Sequence, residues 1–403
     1  MEELKEGWRR VKLEKLGEIV SGGTPKTSME EYWNGKIAWL TPKDFSNQKN
    51  KYWKKGERSI TDEGLKNSSA KLMPKGTVLF TSRAPIGYVG IADTEVSTNQ
   101  GFKNIIANKE NSNEFIYYLL KYITPNIESI AGGSTFKEIS ASAFKNIEVV
   151  VPDLEIQEKI ASILSALDDK IEINNEMNKT LEEMAQTLFK RWFIDFDFPN
   201  ENGEPYRSSG GKMVDSELGE IPEGWKIGSL EEIVDNFDAK RKPLSKKERD
   251  TKEKKYPYYG AAGIIDYVDN YLFNGEYILL GEDGTVITNE GTPILNFINE
   301  KFWVSNHAHV IKAKEKFNND FVHYLLRNTN VSHIVTGAVQ PKINQKNLNG
   351  LKILIPKIKE ISEFGILVSN FTKMLRNNNS EINSLTQIKD TLLPKLMSGE
   401  IEV

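Results

Sequence analysis

The chain has 403 residues, 38% hydrophobic and 27% charged, an ordinary globular composition with material for two or three domains. It has no cysteine, which excludes disulfides, thiolate metal sites and cysteine nucleophiles. The net charge of −4 weighs against nucleic acid only as an average: residues 36–75 hold ten basic against four acidic side chains, and 240–255 hold nine against three.

The opening MEELKE has no apolar stretch of the kind a secretory signal needs, and no later apolar run approaches the roughly 18 residues that cross a membrane. A cytoplasmic protein without membrane contact is expected. Short β runs over Ile37–Leu40, Val78–Phe80 and Val89–Ala92 precede a helix over 113–123. After Pro152, Ile160, Leu164, Leu167, Ile171, Asn174, Asn178, Leu181, Ala185, Leu188 and Trp192 step by alternating four and three, the heptad stripe of a long helix. The segment 199–211, PNENGEPYRSSGG, reads as a loop. Further β runs over Tyr277–Leu280, Ile294–Phe297 and Leu351–Ile355 flank a helix over 319–328. A second long stripe then follows Pro356: Phe364, Val368, Phe371, Leu375, Asn378, Ile382, Leu385, Lys389, Leu392 and Leu396.

The two halves repeat. Asn113–Lys121 (NEFIYYLLK) matches Asn319–Arg327 (NDFVHYLLR) at an offset of 206, and Lys145–Pro152 matches Asn349–Pro356 at 204. The predicted domains are 1–152, a long helix 153–196, a linker 197–214, a second domain 215–356 and a second long helix 357–403. Each helix would hold roughly 39 residues and span about 58 Å. Gly365 and Pro394 should fray or kink the ends of the second. So narrow a stripe calls for a partner helix, and the nearest candidate is its own repeat; the alternative is that each helix packs only on its own globular half. Asn174 and Asn378 occupy the same seam position, where a buried asparagine fixes register and an exposed one is a solvated gap.

Motifs that carry catalysis are missing: there is no phosphate loop, no nucleophile elbow and no Asn/Asp-Pro-Pro-aromatic loop of an adenine methyltransferase. Asp250, Glu253 and Lys255 imitate a nuclease triplet inside a charge run, which reads as a solvated loop. His307 and His309 could begin a metal site, yet no carboxylate completes a ligand spacing, so neither metal nor catalytic residues are expected. What remains is a surface for nucleic acid. Lys43, Lys49, Lys51, Lys54, Lys55 and Arg58 surround Phe45, Tyr52 and Trp53; Lys240, Arg241, Lys242, Lys246 and Lys247 lead into Tyr258 and Tyr259. Basic side chains of this kind neutralise phosphates, while a merely solubilising lysine face is the alternative.

Ser21-Gly-Gly-Thr-Pro25, Thr81–Ile91 (TSRAPIGYVGI) and Thr98-Asn-Gln-Gly101, then Tyr256–Ile264 (YPYYGAAGI), Leu280-Gly-Glu-Asp-Gly284 and Gln340-Pro-Lys-Ile-Asn344, occur in an order that resembles the specificity subunit of a type I restriction–modification system. The second helix departs from the pattern, with Ile361-Ser362 where the first has Gln157-Glu158. The resemblance implies an α+β chain with two target recognition domains, each reading one half of a bipartite, asymmetric site on double-stranded DNA. It also implies two long helices in an antiparallel coiled coil that sets the spacer and docks two modification subunits. Those subunits methylate adenine N6 with S-adenosylmethionine; cleavage, with ATP and Mg, belongs to restriction subunits, and this chain binds no cofactor. Arg83, Asn99, Gln100, Asn306, His307, Gln340 and Lys342 join the basic residues as DNA-contacting candidates. Other possibilities are a coiled-coil scaffold without DNA reading, an orphan nuclease, and self-association through the helices.

Overall fold

The computed structural model describes residues 5–47, 50–132, 137–337 and 339–403. It divides into two compact units, one formed by the chain up to Asn174 together with Ser380–Val403, the other by Asn175–Asn379. No described helix is long and apolar enough to cross a membrane.

In unit 1, β1 (Trp8–Lys12) pairs antiparallel with β10 (Glu148–Pro152). A five-stranded sheet runs β2 (Gly17–Ser21), β9 (Lys103–Ala107), β6 (Val78–Ser82), β7 (Ile86–Ala92), β4 (Tyr52–Trp53). A three-stranded sheet runs β5 (Arg58–Ile60), β3 (Trp33–Leu40), β8 (Val96–Thr98). Helix α1 (Asn113–Ile130) starts where Ser112 Oγ accepts from the Phe115 amide, and it buries Phe115, Tyr118 and Leu119 against the larger sheet.

Unit 2 holds two strand pairs, β11 (Met213–Ser216) with β12 (Gly219–Pro222) and β13 (Lys226–Ser229) with β20 (Lys352–Ile355). Its main sheet runs β14 (Val234–Asn236), β19 (Ala308–Ala313), β17 (Phe273–Gly281), β18 (Leu295–Val304), β15 (Tyr256–Tyr259), β16 (Ile264–Val268). Helix α3 (Asn319–Arg327) is capped by Asn318, which accepts from the Phe321 amide at 2.6 Å. Register makes the repeat explicit. Val78 faces both Ile91 and Ile105, as Ile278 faces both Phe297 and Ile311.

The long helices are α2 (Leu154–Phe189), which passes into a wider π turn over Lys190–Ile194, and α4 (Ile358–Met397). They run antiparallel within each unit. In unit 1, Asn174 Nδ2 donates to Glu381 Oε2 at 2.8 Å and Lys389 Nζ to Asp168 Oδ1 at 2.5 Å; in unit 2, Asn378 Nδ2 donates to Asn178 Oδ1 at 2.9 Å. Both seam asparagines are therefore buried and hydrogen-bonded rather than solvated gaps. Leu167, Ile171, Leu375 and Leu385 line the seam half-buried, and Leu181 is buried. The strict two-helix seam is corrected towards its ends, where the helices also serve the domain cores. Ile160 and Leu164 belong to the core of unit 1 with Leu392 against it; Phe364 and Val368 belong to that of unit 2 with Leu188 and Phe371 against it. The expected kinks in α4 are also corrected. The helix is continuous through Gly365, whose missing Cβ makes room for Asn318 (an added one would lie 2.1 Å from its Nδ2), and Pro394 falls in the last turn.

The two helix starts are fastened differently. Gln157, fully buried, donates from Nε2 to Asn111 Oδ1 (3.0 Å) and the Pro152 carbonyl (2.9 Å) and accepts from the Ser112 amide (3.0 Å). Its counterpart Ile361 is buried as an apolar residue, and there Asn318 Nδ2 donates to the Ile361 carbonyl at 3.0 Å.

Candidate nucleic-acid interface

In each unit three loops meet at one end of the main sheet, held by equivalent backbone bonds. In unit 1 the Ser82 amide donates to the Gly101 carbonyl (2.7 Å), Ile139 N to Ser82 O (3.1 Å) and Asn99 N to Leu40 O (3.0 Å). In unit 2 the Glu282 amide donates to His307 O (2.8 Å), Ile343 N to Glu282 O (2.8 Å) and Ser305 N to Tyr259 O (2.9 Å). The Gly22-Gly23 pair of the first motif belongs to this knot: a Cβ on Gly22 would lie 2.0 Å from the Asn99 carbonyl.

Identical backbone ties carry different side chains. Unit 1 has Ser82, Arg83, Lys103 and Glu138; Arg83 meets Glu138 at 3.3 Å, and Lys103 is buried with Nζ 3.4 Å from Ser82 Oγ. Burial pushes the Lys103 amine below its usual range, with Glu138 opposing that shift. Unit 2 has Glu282, Asp283, His309 and Lys342 in the same places. His309, fully buried, meets Asp238 Oδ2 through Nδ1 at 2.5 Å and the Ile343 carbonyl through Nε2 at 2.8 Å. Arg241 bonds Glu282 Oε2 at 2.6 Å and the Ala308 carbonyl at 2.8 Å, and Lys342 lies 3.2 Å from Glu282 Oε1. Burial alone would raise the Asp238 carboxyl, but the bonds from His309 and the Val310 amide hold it below its usual value. Asp238, Glu282 and His309 place their ligand atoms within 4.8 Å of one another, as a metal would require. Arg241 and Lys342 already answer those carboxylates, so the set reads as an ion-paired support beneath the loops.

The sequence candidates divide around these knots. Asn99 accepts from the Gly101 amide at 2.8 Å, Gln100 meets Thr24, and Arg83 stands beside them on Glu138. Asn306 and Gln340 are exposed, and His307 is exposed on Asp283. Lys240 and Lys242 are exposed on either side of Arg241, with Lys240 over the Phe237 ring at 5.0 Å, and Lys246 and Lys247 are exposed on a short helix over Lys246–Asp250. In the first basic run, Lys43 pairs with Glu57 at 2.9 Å and Arg58 stacks on Trp33 at 3.5 Å, next to strand β3. Lys55 is exposed, and Lys54 pairs with Asp93 at 3.4 Å beyond the end of β7 that lies away from the knot. Lys49 lies outside the described residues.

Four candidates are corrected by burial. Lys51 is 6% exposed and donates to Ser165 Oγ at 2.6 Å, under Tyr118. Tyr258 and Tyr259 are buried, with hydroxyls on the Leu244 amide (3.0 Å) and Glu300 (2.8 Å). Arg241 is held inside by the ion pairs above, which leaves no fork for a phosphate or a base.

A sequence profile of the type I restriction modification DNA specificity domain matches residues 5–183 and 222–387. The chain belongs to this family. The specificity subunit of the type I restriction enzyme MjaIX from Methanocaldococcus jannaschii is 35% identical over 98% of this chain and 94% of that subunit. The EcoprrI specificity subunit of Escherichia coli is 22% identical over 93% of this chain and 92% of its own length. Among solved structures, the type I restriction-modification S subunit from M. genitalium superposes with a TM-score of 0.64 at 20% identity, covering 98% of this chain and 97% of that one, a likeness of fold. For a specificity chain, the side chains that sequence reasoning passed over are Lys103, Asp238, Glu282 and Glu138. The offset of 206 that aligns the helices also aligns Lys103 with His309, and that signal was available without a structure.

Proposed function

We propose that each unit reads one half of a split site on double-stranded DNA and that the helix pair sets the gap between the halves. The observation that carries this reading is the pair of loop knots, alike in backbone and unlike in side chain. A conserved scaffold holds loops at one geometry, while Arg83, Asn99 and Gln100 in one unit and Asn306, His307 and Gln340 in the other offer different donors and acceptors to base edges. The exposed lysines then position the duplex through its phosphates. Exposed Ile173, Met184, Ile366 and Met374 on the long helices are the docking faces for two modification subunits, which methylate adenine N6 using S-adenosylmethionine. Cleavage belongs to restriction subunits with ATP and Mg, and this chain supplies recognition without catalysis.

The test is co-expression with the modification subunit and mapping of N6-methyladenine in host DNA. A split motif with two unlike halves and a fixed gap supports the reading; co-purification without new methylation, or no co-purification, sinks it. Removing one heptad from α2 and the facing heptad from α4 should change the gap by about 3 base pairs, 7 residues at 1.5 Å against 3.4 Å per pair, and leave both half-sites intact.

A further inference from the structure

Unit 1 closes the outer edge of β7 with a strand of its own. Tyr52 and Trp53 lie parallel to Ile91 and Ala92; the Ile91 amide donates to the Lys51 carbonyl at 2.8 Å and the Asp93 amide to the Trp53 carbonyl at 2.9 Å. Side chains lock the strand to the helices beside it, Lys51 to Ser165 at 2.6 Å and Tyr52 to Glu114 at 2.5 Å. Trp53 stacks on Phe45 at 4.0 Å and lies across Gly90, where a Cβ would come within 2.5 Å of the indole.

In unit 2 the residues equivalent by register to Ile91 and Ala92 are Phe297 and Ile298. Strand β15 reaches β18 only at Trp303 and Val304, and among the described residues no strand pairs with Phe297 and Ile298 on that side. A cleft of about 1050 Å³ opens there, lined by Thr292, Asn296, Phe297, Tyr324, Thr372 and Arg376 among others. Three residues of its lining carry a buried polar atom without a hydrogen-bond partner: Asn296 Nδ2, His323 Nδ1 and Gln186 Oε1. An orphaned buried group of this kind is costly, and a ligand that offers it a partner recovers that cost.

We infer that this edge takes an extended strand of the modification subunit, added parallel to β18 as unit 1 adds its own residues 51–53. The identity of the partner rests on the functional reading above; the kind of occupant rests on unit 1. An unpaired strand edge offers alternating N–H and C=O groups that extended polypeptide complements. A nucleic-acid strand suits the cleft less well, because its arginines are already paired, Arg327 with Glu182 and Arg376 with Glu276. The residue facing Asn296 must differ from Trp53. Asn296 stands where unit 1 has Gly90, so the incoming strand places a small acceptor there rather than an indole.

Hydrogen exchange of the full chain, alone and in its purified complex with the modification subunit, tests this. The Phe297 and Asn299 amides, equivalent to those of Ile91 and Asp93, should exchange at least tenfold more slowly in the complex. Unchanged rates in a complex that does co-purify overturn the inference alone, and protection by duplex DNA without the subunit overturns it as well. Failure to co-purify overturns the partner reading together with it. Asn296→Trp, which covers the edge, should weaken the complex at least tenfold, whereas Asn296→Gly, which leaves the edge open and removes only the donor, should weaken it less. Wild-type binding by a folded Asn296→Trp chain also rejects the inference.

Discussion

Unit 1 and unit 2 hang different chemistry on one backbone plan, and the contrast separates what the fold needs from what a site needs. Where unit 1 fastens its helix with the amide of Gln157, unit 2 uses Ile361 and the cap residue Asn318. Where unit 1 supports its loops on Lys103, unit 2 uses His309 between Asp238 and Ile343. The backbone bonds are constant in both cases, so the fold constrains main-chain partners and leaves side chains free to diverge. Divergence at constant geometry is what a pair of readers with different targets requires.

The strongest contrast is in the cores. Phe364 is fully buried in an aromatic cluster, with ring centroids 5.7 Å from Phe189 and 5.1 Å from Phe193, while the equivalent position of unit 1 is Ile160. Phe364→Ala should cost about 3–5 kcal/mol, towards or above the upper part of the roughly 2–5 kcal/mol expected for the matched truncation Ile160→Ala. Denaturant unfolding followed by hydrogen exchange resolved to each unit checks this, and losses of equal size would show that the aromatic cluster adds no more than ordinary burial.

Gln157 sharpens the comparison at the next level. Gln157→Ala leaves the Ser112 amide without its acceptor, an expected loss of about 1–3 kcal/mol. Ile361→Ala removes only apolar contact. If Gln157→Leu, which copies the apolar solution of unit 2, were as stable as the wild type, the polar latch would be dispensable.

Much of this was legible in the sequence, and the failures have physical reasons. The repeat, the helix stripes and most strands were readable because apolar periodicity survives when side chains diverge. The loop motifs were readable through their glycines, since Gly22 has no room for a Cβ against Asn99. Lys51 looked like part of a solvated basic face, but it precedes β4 and reaches under Tyr118 to Ser165, beside the Glu114 that Tyr52 meets, and charge density in the sequence cannot show such a tertiary contact. Tyr258 and Tyr259 misled for a related reason, as both lie in a strand covered on both faces. The support beneath the unit 2 loops was invisible because Asp238, Glu282, His309 and Lys342 come from four separate segments with no spacing to detect. The seam was read as purely helix-to-helix because a heptad cannot reveal that its ends also meet a sheet.

Acid should distinguish the units. His323 is half-buried, its Nδ1 enclosed and its ring stacked on Phe297 at 5.2 Å, and desolvation, helped by Arg327, lowers its pKa to about 3 from an ordinary 6.5; unit 1 has Tyr117 at this place. The unfolded chain therefore binds a proton that folded unit 2 refuses between pH 6.5 and 3. Stability from this group is complete above pH 6.5 and falls as pH drops through that window, by up to about 1.4 kcal/mol per pH unit. His323→Phe should flatten the difference, and an unchanged acid profile in that variant would remove His323 as its cause.

The smallest effects belong to the surface, where the two kinds of DNA contact should part. Gln340 is exposed on a loop of the unit 2 knot, so Gln340→Ala should lose about 1 kcal/mol of discrimination in one half-site only. Lys55→Ala should weaken binding to all sequences alike and reduce the salt slope by about 1. Lys54→Ala should do less, since Lys54 is partnered by Asp93 and stands away from the knot. Titrations of the assembled complex on cognate and scrambled duplexes at several salt concentrations would measure all three. Equal losses for Gln340→Ala on both duplexes would take it out of base reading. A larger effect for Lys54 than for Lys55 would show that the Asp93 pair does not keep Lys54 from the phosphates.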